Sequence, residues 1–122
     1  MGKIIIVLLL GISLVIGGHV VSAEDGSEQG RLDAERDVNS GVFKIYATGR
    51  PAPYRKYYDE IMLNDYGVEM VRKDRVDSRE EKAYMSAYNN VSVKAVIDKH
   101  GGDIFANAGG EAMKRYREEA KK

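Results

Sequence analysis

VFKIYATGRPAPYRKYYDEIMLNDYGVEMVR, residues 42–72, contains the outline of one complete folding unit. From Val42 to Thr48 the side chains alternate, with Phe43 and Ile45 set toward a core and Lys44 and Tyr46 away from it, the period-two pattern of a strand. Gly49-Arg50-Pro51-Ala52-Pro53 ends that strand, because proline removes ladder donors and restricts the residue before it. Pro53 suits the first turn of a helix, where a missing N–H costs nothing. Tyr54, Tyr57, Tyr58, Ile61, Met62 and Tyr66 then recur at helical spacing, with Arg55, Lys56, Asp59 and Glu60 on the other side. Gly67 closes the helix and Val68-Glu69-Met70-Val71 opens a second strand. A helix between two strands makes them parallel through a right-handed crossover.

Outward from this unit the chain reads as helix. Ser78-Arg79-Glu80-Glu81 matches a capping box, and the helix it opens offers Tyr84, Ala87, Tyr88, Val91, Ala95 and Ile97 as its buried side. Asn89-Asn90 and Val91-Ser92-Val93 are weak helix formers, so a kink is expected there. After His100-Gly101, Asp103 is placed to cap a last helix whose stripe is Ile104, Phe105, Ala108, Ala112, Met113 and Tyr116. Gly109-Gly110 lies inside it, which points to a bend or to another backbone packed close. Upstream, residues 24–41 read as a polar lead-in followed by a short surface helix, Arg31 to Asn39, stopped at Ser40-Gly41. The expected fold is α/β: one βαβ unit of two parallel strands, packed with two C-terminal helices and a short N-terminal helix. Residues 42–122 form the domain.

At the amino terminus, Lys3 precedes an apolar run from Ile4 to Ile16 and a small-residue exit, Val21-Ser22-Ala23. That order of features describes a secretory signal peptide over residues 1–23, with Glu24 as the new terminus and a periplasmic or secreted destination. His19 belongs to this segment and is no site residue. The competing reading is a retained anchor over residues 4–23, which approaches the roughly 20 residues a membrane-spanning helix needs. It would make the protein an accessory subunit of an inner-membrane complex.

Composition narrows function by exclusion. With 19 Lys and Arg against 19 Asp and Glu, the chain lacks the basic excess that a nucleic-acid binder uses to neutralise phosphates. The absence of cysteine removes disulfides, thiol catalysis and thiolate metal sites. No cofactor-binding or phosphate-loop motif is present, and no metal site is expected. Once residues 1–23 are removed His100 is the sole histidine. Its place before Gly101-Gly102 is that of a cation at a helix carboxyl end, and a small exported hydrolase would have to be built on it. Tyr54, Tyr57, Tyr58, Tyr66, Tyr84, Tyr88 and Tyr116 lie on helical stripes, either as core or lining a groove. In parallel sheets ligands gather outside the carboxyl ends of the strands. Here those ends carry Arg50, Arg72, Lys73, Arg75 and Arg79, a candidate edge for a small anionic ligand or an envelope partner protein.

The runs YGVE (Tyr66, Gly67, Val68, Glu69), YN (Tyr88, Asn89) and G-x-D-x-F (Gly101, Asp103, Phe105) resemble a pattern in small exported bacterial proteins of unknown function. Those proteins often carry a Gly-Cys pair after the second strand, where this chain has Lys73-Asp74-Arg75. The resemblance covers about Val42 to Tyr116. It implies the same fold and no activity.

Overall fold

The computed structural model describes residues 23–122. Both the signal-peptide and the anchor readings concern a segment that lies outside the described residues but for Ala23. Along the chain the elements are α1 (Ala23–Asn39), β1 (Phe43–Thr48), α2 (Arg55–Tyr66), β2 (Val68–Lys73), α3 (Arg79–His100) and α4 (Ile104–Ala120). β1 and β2 pair in parallel, in register from Phe43 opposite Val68 to Thr48 opposite Lys73. The α/β architecture is the one its periodicities require. None of the described helices is long and apolar enough to cross a membrane.

Phe43, Ile45, Val68 and Met70 share one face of the sheet, and α2 and α4 cover it. Ile45, Ile61, Met62, Val68, Val96, Ile104, Ala108 and Ala112 form the buried cluster, with Tyr54, Tyr57, Tyr58 and Phe105 packed at its margin. Met62 and Val96 are fully enclosed, so truncating either to alanine forfeits transfer energy and leaves a cavity. Gly67 ends α2 with φ of 69° and donates its N–H to the Leu63 carbonyl at 3.0 Å, turning the chain into β2 within one residue.

The amino-terminal region departs from its sequence reading. Glu24 to Gly30 is not a lead-in: a single helix of 17 residues runs from Ala23 to Asn39. The reason lies in tertiary packing, which overrides the weak helix propensity of its glycines. Gly26 and Gly30 lie directly against the backbone of α3. A Cβ on Gly26 would meet the Glu80 carbonyl oxygen at 2.4 Å, and one on Gly30 the Tyr84 carbonyl oxygen at 2.2 Å. Ala34, one turn further on, is fully buried. Next to Ala34, Asp33 accepts from the Tyr84 hydroxyl, Oδ2 at 2.6 Å, and one turn further on Asp37 accepts from the Tyr88 hydroxyl, Oδ2 at 2.5 Å. The contacts advance together along both helices, so α1 and α3 run parallel at close range. α1 ends as its sequence predicts. The Val42 N–H reaches the Asp37 carbonyl at 2.8 Å and the Gly41 N–H the Val38 carbonyl at 3.0 Å, with Gly41 at φ of 80°.

α3 is likewise one continuous helix, running from Arg79 to His100 through Asn89-Asn90. Asn89 is the explanation rather than an exception. Its Oδ1 accepts the Tyr46 N–H at 2.8 Å and its Nδ2 donates to the Tyr46 carbonyl at 2.8 Å, as a neighbouring strand would. The Ser92 hydroxyl donates to the Lys44 carbonyl. Together these side chains close the outer edge of β1, groups that would otherwise stay unpaired beneath a helix. Hence the buried side of α3 is Met85, Tyr88, Ser92 and Val96, with a polar residue in it, and Ile97 is left exposed. Tyr46 completes an aromatic cluster beneath α3, its ring edge-on to Tyr88 at 5.1 Å and to Tyr84 at 6.1 Å.

The capping box at Ser78 forms in modified shape. Ser78 Oγ accepts the Glu81 N–H at 3.0 Å, while Glu81 Oε1 accepts from Asp77 rather than from Ser78 itself. Asp103 makes no side-chain cap to α4; its carbonyl takes the Asn107 N–H at 2.9 Å instead. At Gly109 and Gly110 α4 neither breaks nor receives another backbone, since a Cβ on either would meet open space.

Candidate functional site

The carboxyl ends of both strands carry a shallow cleft of about 180 Å³ lined by Ala52, Tyr54, Arg55, Tyr58 and Arg72. Its walls follow from local structure. Arg72, on the same sheet face as Ile45, points toward α2 and grips Asp59 with two bonds, Nε to Oδ2 at 3.1 Å and Nη2 to Oδ1 at 2.6 Å. This bidentate pair, about one-quarter exposed on each side, fixes the guanidinium plane at the cleft floor. Tyr54 and Arg55 come from the first turn of α2. That helix start has no side-chain cap and no acidic residue in its first turn; its Arg55 and Tyr57 N–H groups bond to the Ala52 and Tyr54 carbonyls, so it offers an anion its dipole rather than free amides. Burial raises the Tyr58 phenol above its ordinary range, with the Arg72 charge pulling the other way. Tyr58 is therefore neutral at physiological pH and can donate a hydrogen bond.

Of the five basic residues singled out from sequence, only Arg72 lines this cleft. Arg50 projects from the exposed loop after β1. Lys73 points to the opposite face and pairs with Glu81, and that hydrogen bond holds the Glu81 carboxyl below its usual range. Arg75, 88% exposed, lies 3.4 Å from Asp77. Arg79 is the exposed first residue of α3. Arg72 and Lys73 thus part to opposite faces of the sheet, and the other three lie outside the strands. Arg55 takes the place of the rest in the cleft, although its helical position reads as solvent-facing. The sequence signal for it is position: the first turn of a helix that follows the end of a parallel strand.

Across the sheet, a second hollow of about 270 Å³ is lined by Tyr46, Thr48, Val76, Lys82, Met85, Ser86 and Asn89. A third, about 360 Å³, runs along α3 past Asn90, Val93, Lys94 and Ile97. Neither combines two cations with a helix start. His100 lines none of the three. Its ring stands edge-on to Tyr66 at 5.4 Å, near the amino-terminal end of β2, and its buried Nε2 has no hydrogen-bond partner. No carboxylate engages it, and no three His, Cys, Asp or Glu side chains converge among the described residues.

Compared with family models, curated proteins and solved structures, the chain matches none.

Proposed function

We propose that the chain is an exported, non-catalytic binding module, and that the cleft between α2 and the end of β2 receives an anionic group of its ligand or envelope partner. The observation that carries this reading is the convergence of Arg55, the Asp59-held Arg72 and an uncapped helix start on one hollow. Two guanidiniums with different duties suit such a role. Arg72 is oriented by Asp59 and gives geometry, whereas Arg55, which pairs with no carboxylate among the described residues, gives charge. Tyr54 and Tyr58 supply flat apolar walls with hydroxyl tips, which favours a ligand that joins an anion to a planar or apolar body.

Two measurements test it. Intact mass of the protein accumulated by cells expressing it from Met1 is expected to match a chain beginning at Glu24; a retained Met1 terminus removes the export reading in its cleaved form. A thermal-shift panel of inorganic phosphate, pyrophosphate and aromatic carboxylates is expected to raise Tm for the wild type and not for Arg55→Ala. Equal shifts for both proteins, or none for any anion, would reject the cleft.

A further inference from the structure

The two edges of the sheet are treated differently. On β1, Tyr46 and Lys44 turn their backbone groups away from β2 and meet Asn89 and Ser92. Phe43, Ile45 and Ala47 therefore bond to β2, and in the observed register the alternation of a parallel ladder leaves Met70 and Arg72 of β2 facing outward. No backbone hydrogen bond from the described residues reaches their outward groups. An unprotected strand edge is a template for pairing with another strand.

The side chains along this edge are complementary to themselves. Glu69, Val71 and Lys73 alternate on the face away from α2. If a second β2 runs antiparallel about a twofold axis at Val71, Val71 meets Val71, and Glu69 of each copy meets Lys73 of the other. Met70 of one copy and Arg72 of the other then exchange both N–H···O=C bonds, because both face outward. The side-chain contacts fall at the non-hydrogen-bonded pairs, where opposed side chains lie closest. On the other face Leu63, one turn beyond the Asp59 that holds Arg72, is 54% exposed on the β2 side of α2. The same axis would bring the two α2 helices side by side over the extended sheet. We propose that this edge is a homodimer interface, in which two copies join β2 to β2 into a four-stranded sheet. Opposite charges at matched positions favour a second copy over an unrelated extended peptide.

The test uses protein expressed from Met1 and measured by sedimentation equilibrium across its soluble range. Wild type is expected at twice the mass found under denaturing conditions. Glu69→Lys and Lys73→Glu, each folded by circular dichroism, are expected to be monomers, since each places like charges opposite. Mixing them in equal amounts is expected to restore a dimer, because every pair across the axis is then opposite in sign. Should Lys73→Glu fail to fold through loss of Glu81, Val71→Lys takes its place as a second monomer. A monomeric wild type, or a Glu69→Lys protein that dimerises as well as wild type, would overturn the proposal.

Discussion

Replacing Gly30 with alanine separates a packing role from a propensity role. In an isolated helix the change is favourable by about 1 kcal/mol. Here the new methyl would sit 2.2 Å from the Tyr84 carbonyl oxygen, a backbone atom fixed within α3. Relief requires α1 and α3 to part by more than an ångström. Overpacking of that kind costs about 1–3 kcal/mol. Separation also stretches the Tyr84–Asp33 and Tyr88–Asp37 hydrogen bonds, each worth about 1.5–3 kcal/mol as a bond to a charged group. With one of them lost and the propensity gain returned, the expected net destabilisation is about 1.5–5 kcal/mol. Urea unfolding followed by far-ultraviolet circular dichroism measures it as a lower midpoint. Gly110→Ala is the internal control, because its Cβ meets nothing within 4 Å, and it should gain about 1 kcal/mol. A Gly30→Ala protein as stable as Gly110→Ala would refute the close α1–α3 packing.

Three further expectations rest on other contacts. Asn89→Ala strands both backbone groups of Tyr46 at a part-buried edge and should cost about 2–4 kcal/mol, read as a lower denaturation midpoint; a loss under 1 kcal/mol would mean that water replaces the side chain there. The Tyr84 hydroxyl lowers the Asp33 pKa, ahead of smaller contributions from Gln29 and Arg36, so its share of stability is present above the unfolded carboxylate pKa of about 4 and fades as pH falls through the lower folded value. The stability gap between wild type and Tyr84→Phe should accordingly narrow below about pH 4, and a gap independent of pH down to 2 would exclude an ionised acceptor. Burial and the Asp33 bond raise the Tyr84 phenol, so the gap should be full below the unfolded phenol pKa of about 10 and shrink as pH rises beyond it. Asp59→Asn keeps the shape of the Arg72 contact while removing its charge; anion affinity should rise as Arg72 is freed of its counter-charge, and a fall would show that Asp59 matters for geometry first.

Much of this fold is legible in the chain because its signals are local. Alternation in Val42–Thr48, the stripe from Tyr54 to Tyr66 and glycines at 41, 67 and 101 each specify one element or its end. What is not legible is the pairing of distant elements. Gly26 and Gly30 look like breakers in a polar lead-in until Glu80 and Tyr84 are brought beside them. Asn89 looks like a weak point in a helix until Tyr46 offers it a strand edge. The candidate site divides the same way: the carboxyl ends of the strands follow from topology, but which basic side chains share a cleft depends on the face each strand position presents. Arg72 and Lys73, adjacent in sequence, necessarily part to opposite faces. Arg55 enters the cleft because α2 starts above the end of β2.

The most direct measurement is a ¹H–¹⁵N titration of the protein with pyrophosphate, in wild type and in Arg55→Ala. Saturable shifts centred on Tyr54, Arg55, Tyr58 and Arg72, and lost in the variant, are the expected result. Shifts spread evenly over Arg50, Arg75 and Arg79, or unchanged by Arg55→Ala, would contradict a ligand site in the cleft.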